Sequence, residues 1–210
     1  MGLTMVPVVL RRSLVAAALA LLAVPSLPTV ASAQDLVVRS REFVQRVTEE
    51  AVQKLADKSI PAAEREQRFR ALFVQAFDVQ AIGRFVVGAP NWRQASEAQR
   101  REYLALFEAA MVKTYSQRFA DYSGETIQVT GARAEDTTLA LVQMSVHTQS
   151  GPARVDWRVL QTDGGLKVVD LIIEGASLAN SQREEFTSVI QRGGGGLDPL
   201  IAVLRQRVSG

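Results

Sequence analysis

The sequence predicts an α+β domain in which helices come first, an antiparallel sheet follows, and two further helices close the chain. Three observations carry this reading. Apolar residues recur at three- and four-residue spacing through the first half of the chain, and from Thr126 the period becomes two. After a break at Glu174-Gly175, capping residues introduce helical segments again.

The helices come in order. Leu36, Phe43, Val44, Val47, Ala51 and Leu55 form one apolar stripe, with Arg, Glu and Gln between them. After Ser59-Ile60-Pro61 a second helix carries Phe69, Leu72, Phe73, Ala76 and Phe77. Asp78 is placed to cap a short third helix, because its carboxylate can accept from the free amides of the first turn. Val79, Ile82 and Val86 then face inward, and Gly88 ends the helix. Pro90-Asn91 reads as a turn. Ser96-Glu97-Ala98-Gln99 is a capping box, and its helix passes Leu104, Phe107, Met111 and Tyr115 to about Phe119.

Four alternating runs follow: Ile127-Val129, Val142-Met144-Val146, Val155-Trp157-Val159 and Val169-Leu171-Ile173. Ser150-Gly151-Pro152 and Asp163-Gly164-Gly165 separate the last three as hairpin turns, so four strands, or slightly more, form a meander with one apolar face. One C-terminal helix is headed by Ser181 through Glu184, the other by Asp198 and Pro199.

The first 33 residues read as a cleaved export signal. Arg11-Arg12 are its positive region, Ser13 to Val24 is apolar but short of the about 20 residues a span needs, and Ala31-Ser32-Ala33 fits small-residue cleavage. Leu10 and Ser13 are poor flanks for twin-arginine export, so the general secretory route to the periplasm is expected, with a single domain over 34–210. The chain has no Cys, which excludes a lipoprotein anchor and requires a core without disulfides. A chain of that mature size can supply one, burying about 70% of its unfolded surface. Both leader charges are arginines, so the 24 basic residues fall to 22 against 22 acidic ones. A net charge near zero gives poor support for a nucleic-acid partner.

Candidate chemistry is sparse. Asp170 and Glu174 share a strand face, but four residues separate their Cα atoms by ~13 Å, and paired glycosidase carboxylates lie at roughly 5 to 9.5 Å. They read as structural: Asp170 pairing with Arg158 or Lys167, Glu174 accepting from backbone near the following helix. His147, the single histidine, has solvent-facing parity and no evident nucleophile or metal-binding company. Asp156 and Arg158 flank inward-facing Trp157 and are expected to point outward as cross-strand charge pairs. Gly193 to Gly196 lies between helices and reads as a flexible link rather than a phosphate cradle. No protease, hydrolase, P-loop or dinucleotide motif occurs. No catalytic residue, metal or cofactor is expected.

What remains is an apolar inventory that fills either a core or a ligand cavity, and periodicity leaves both open. Strand parity puts Val142, Met144, Val146, Val155, Trp157, Val159, Val169, Leu171 and Ile173 on one sheet face. Helical spacing turns Phe77, Ile82, Val86, Leu104, Phe107, Met111 and Tyr115 towards it. If the space is a cavity, these are its expected lining.

Several separated segments bear on that choice. "VDWRV" (155–159), "LKVVDLIIEGASLANSQREEF" (166–186) and "GGGGLDPLIAVL" (193–204) resemble the C-terminal signature of the MlaC, or toluene-tolerance, family. "FDVQAIGRFVVGAPNWRQASEAQRREY" (77–103) resembles its helix–turn–helix segment, with Pro90-Asn91-Trp92 where Arg-Tyr-Trp is common. The resemblance implies a cone-shaped α+β fold that encloses acyl chains and leaves the head group near the mouth. It further implies a periplasmic, non-enzymatic phospholipid shuttle serving outer-membrane lipid asymmetry. Its implied partners are an outer-membrane lipoprotein complex and an inner-membrane ABC transporter with an MCE-domain subunit, and the shuttle itself is expected to be monomeric. A hopanoid-related lipid is an alternative cargo, and a ligand-free envelope adaptor an alternative role. An enzyme acting on lipid through Asp156, Asp170 or Glu174 is a third. The physics favours a carrier: exposing one 16-carbon chain to water costs ~12 kcal/mol, at about 0.8 kcal/mol per CH₂.

Overall fold

The structure, a computed structural model, describes residues 29–122, 124–148 and 151–209. The predicted leader up to residue 28 lies outside them. The expected cleavage point after Ala33 falls within the first helix, α1, Thr29–Leu55. Among the described residues no helix is long and apolar enough to cross a membrane.

α2 (Ala62–Ala76), α3 (Val79–Val87), α4 (Ala89–Gln94) and α5 (Glu97–Ser116) follow. Asp78 caps α3 as expected, accepting from the Ala81 amide at 2.9 Å. The capping box at Ser96 and Gln99 opens α5, with both reciprocal bonds made. Two local expectations change. Pro90-Asn91 is not a turn but the start of α4, since a proline in the first helical turn gives up only an amide that has no partner there anyway. The helix expected to reach Phe119 tightens after Ser116 into a 3-10 segment, Gln117–Asp121.

Among the described residues five strands make one antiparallel meander in the order β1-β2-β3-β4-β5: β1 Thr126–Ala134, β2 Leu139–Thr148, β3 Gly151–Thr162, β4 Gly165–Ile173 and β5 Ala176–Ser177. Gly151 and Pro152, expected in a turn, already pair with Thr148 and His147; Ser150 lies outside the described residues. Glu174 and Gly175, with φ of 49° and 84°, join β4 to β5. Two successive positive φ values suit a two-residue hairpin whose twist matches its strands. The break seen in the sequence is therefore a turn that doubles the chain back.

That hairpin moves the next helix. α6, Leu178–Arg192, is capped by Ser177, which accepts from the Asn180 amide at 3.1 Å; Ser181, expected to lead the helix, lies in its first turn. α7 spans Asp198–Ser209. The intervening glycines are an ordered turn rather than a flexible link. Gly193 and Gly195 donate to Val189 and Ile190 carbonyls at 3.1 and 2.9 Å, and Gly194 to Gly196 all take positive φ.

Packing divides the interior in two. α3, α5, α6 and α7 bury Val86, Tyr103, Phe107, Phe186, Leu200 and Leu204 together. On the sheet, α1 lays Val44 over Val142, Met144, Trp157, Val159 and Val168. Phe77 packs against both clusters. Within the helical cluster the Tyr103 hydroxyl donates to the Gly83 carbonyl at 2.8 Å, and burial pushes its pKa far above the ordinary tyrosine value. Gly83 also lets Leu104 and Phe107 of α5 close on α3: a Cβ there would lie 2.7 Å from Leu104 Cδ2 and 3.3 Å from Phe107 Cδ1. Gly83→Ala is accordingly expected to cost about 1–3 kcal/mol, the usual range for overpacking. Thermal melts of the variant check this, and an unchanged midpoint would mean that Leu104 gives way freely.

Candidate functional site

The two clusters do not close on each other. Between them lies a cavity of about 470 Å³, inside the range of roughly 300–1,000 Å³ usual for small-molecule pockets. Phe69 and Phe73, one turn apart on α2, stack with centroids 5.8 Å apart, and Phe73 meets Phe77 at 4.9 Å. Phe77 reaches Trp157 on β3 at 6.1 Å, and Phe119 meets Phe69 at 5.8 Å from the other end. An aromatic row thus joins the 3-10 segment to the sheet along the cavity. Trp157 Nε1 is buried and has no hydrogen-bond partner among the described residues.

Other elements complete the wall. α3 supplies Ile82 and Val86, and α5 supplies Phe107, Met111 and Tyr115. The sheet supplies Val146, Val155, Trp157, Val169 and Leu171, while α1 adds Val47, Ala51 and Leu55.

Five residues expected on the lining are elsewhere. Val142, Met144 and Val159 are packed under α1, which covers that part of the sheet. Thr48 Oγ1 of α1 touches the Met144 sulfur at 3.8 Å. Leu104 is turned onto Gly83 within the helical cluster. Ile173, at the strand end, is 38% exposed. A bulge explains a further departure. β3 and β4 shift register between Arg158 and Val159, so that Val159 pairs with Val168, not Val169. Val168 enters the core beside it while Val169 still reaches the cavity.

Residues outside the expected lining include Phe69 and Phe73, whose spacing with Phe77 at i, i+4 and i+8 is a visible signal. The α1 residues are legible as a stripe, but no periodicity says what that stripe will cover.

The acids are engaged in structure. Asp170, 7% exposed, accepts from Ser177 Oγ at 2.7 Å and the Ala179 amide at 3.0 Å, with Arg158 Nη1 at 3.5 Å. It fastens the start of α6 to β4. Asp156 is 3% exposed instead of facing water, and its two oxygens are held by Arg154 of its own strand at 2.9 and 2.5 Å, not across strands. Glu174 accepts from the Arg154 amide on β3 rather than from the helix start. His147 is exposed. Among the described residues no group of three or more His, Cys, Asp or Glu gathers in a metal-binding arrangement.

Arg158 also donates to Glu135 Oε2 at 2.7 Å. That hydrogen bond holds the Glu135 carboxyl below the ordinary glutamate value, against a smaller opposing effect of burial. The folded state therefore binds fewer protons than the unfolded one in this range. Its stabilisation is complete above the ordinary glutamate value and is lost as pH falls through the lowered one. Glu135→Gln is expected to flatten the dependence of stability on pH across that window. Urea unfolding at several pH values tests it, with parallel wild-type and variant profiles as the contrary result.

Helices and an antiparallel sheet wrapped around an apolar cavity define an α+β receptacle. The chain belongs to the MlaC protein family, which matches residues 44–206. It is 27% identical over 125 residues to the toluene tolerance protein ttg2D of Pseudomonas putida, a stretch covering 59% of this chain and 58% of that relative. The match thus spans less than two thirds of the relative's length. A phospholipid-binding protein from Ralstonia solanacearum, solved in complex with a phospholipid, shares the fold with a TM-score of 0.72 at 23% identity. The superposition covers 80% of this chain and 96% of that one. The family resemblance read from the sequence is correct.

Proposed function

We propose that this protein is a periplasmic phospholipid carrier that holds acyl chains in the cavity between its helical cluster and its sheet. One observation carries the reading: a space of about 470 Å³ lies between two packed clusters and is walled mainly by aliphatic and aromatic side chains from helices and sheet. An unfilled apolar space costs the folded protein dispersion contacts that an acyl chain restores. Family membership supports the assignment, as does the phospholipid bound by the solved relative of like fold. In this reading the single domain over 34–210 follows a cleaved export signal. It takes lipid from one membrane complex and yields it to another, with an MCE-domain ABC transporter at the inner membrane and a lipoprotein complex at the outer. No bond in the lipid changes; the carrier replaces water with an apolar lining.

Purification of the protein from its own envelope, native mass spectrometry and lipid extraction test this. The expected result is a folded monomer whose added mass is released as phospholipid. A hopanoid in its place would change the cargo, and a protein of bare polypeptide mass would leave the adaptor role.

A further inference from the structure

Among the described residues the cavity lining contains two charged side chains, Asp170 and Arg118, and they differ in what they have left to offer. Asp170 is committed to Ser177, the Ala179 amide and Arg158. Arg118 is exposed and, among the described residues, makes no ion pair or hydrogen bond; its Cζ sits 5.6 Å from the centre of the Tyr115 ring. Tyr115 also lines the cavity, and its hydroxyl makes no hydrogen bond among the described residues. The 3-10 segment thus brings Phe119 to the aromatic row and, one residue away, adds Arg118, without an ion pair or hydrogen bond among the described residues, to the lining of the same space.

An amphiphile whose chains fill the apolar space must leave its polar end at the part of the wall that can receive it. Arg118 presents five N–H donors in a planar fork that matches the oxygens of a phosphate. A long arginine stem can cover apolar surface while its head meets water, and the contact with the Tyr115 ring limits the freedom the guanidinium would lose on binding. We infer that Arg118, braced by Tyr115, is the head-group contact of the cavity and selects an amphiphile bearing a phosphodiester over a neutral lipid with the same chains. This rests on the carrier reading and narrows its cargo: a neutral polycyclic lipid would leave the guanidinium unused.

The test uses the full mature protein, stripped of lipid and offered either phosphatidylglycerol or diacylglycerol of matched chains from neutral-detergent micelles. Retained lipid is counted by native mass spectrometry. Wild type is expected to retain phosphatidylglycerol in preference. R118Q should lower that retention about tenfold or more, the equivalent of one charge-assisted hydrogen bond, with diacylglycerol retention within about twofold of wild type on the same scale. R118K should restore part of the preference through charge without the fork, and R118E should abolish it.

Equal loss of both lipids in R118Q would overturn the inference by showing that only the apolar stem matters. Equal retention of both lipids by wild type would overturn it too and leave the carrier reading standing. Failure of wild type to retain either lipid would remove the carrier reading itself. Inorganic phosphate alone, titrated into the lipid-free protein by calorimetry, is expected to give no saturable heat. A saturable response lost in R118Q would assign the site to free phosphate and overturn the head-group role.

Discussion

Val155→Trp is expected to empty the protein of lipid while leaving the lipid-free form close to its normal melting temperature. Val155 lines the cavity, so a larger ring grows into open space instead of into packed neighbours. Filling a void of this kind costs little, whereas inserting the same bulk into a dense core typically costs about 1–3 kcal/mol or more. Val159→Trp provides the contrast. Val159 is fully buried with Val142 and Val168 beneath α1, and its enlargement is expected to lower the melting temperature sharply. Sequence parity makes the two valines equivalent; the structure makes one a plug and the other a wedge. Melting curves and lipid content, measured on both variants, decide the matter. A Val155→Trp protein that keeps full lipid, or one that fails to fold, would place the cavity elsewhere.

The second large effect is expected at Asp170. Its carboxylate holds the first turn of α6 through Ser177 and the Ala179 amide and also faces Arg158. Breaking a buried charge pair costs about 3–5 kcal/mol when the remaining charge is stranded. Arg158 keeps Glu135 as a partner at 2.7 Å, which places Asp170→Ala near the lower end, about 3 kcal/mol. For a domain of this size that lowers the melting temperature by roughly 6–12 °C. Asp170→Asn should cost less, since one oxygen can still accept from the Ala179 amide. A Ser177→Ala change on top of Asp170→Ala should add less than it does alone, because the two removals share one hydrogen bond. Both variants should retain lipid in proportion to the folded fraction. A variant that stays fully folded yet fails to convert a lipid would instead assign the carboxylate a chemical role.

Much of the architecture was legible in the order of residues. The Asp78 cap, the capping box at Ser96 and Gln99, and the change of period at Thr126 concern partners within a few positions of each other, so their geometry follows from spacing alone. The apolar character of the site was legible for the same reason, since parity and helical spacing identify which side chains leave the water. Family-like segments spread along the chain supplied the functional reading.

Tertiary structure decided which of those buried residues meet one another. α1 could lie along any part of the apolar sheet face; its seat over Val142, Met144 and Val159 turns them into core and leaves Val146, Val155 and Leu171 facing the void. The bulge opposite Arg158 and Val159 admits Val168 to that core, although strict alternation places it on the other face. Asp156 and Arg154 meet on one strand because residues two apart share a face, while Arg158 is drawn to Glu135, just past the end of β1, and to Asp170 on neighbouring β4. Periodicity determines that a side chain leaves the water. Whether it then meets a neighbour or an empty volume depends on how distant elements pack, and that is set by their competing contacts in three dimensions.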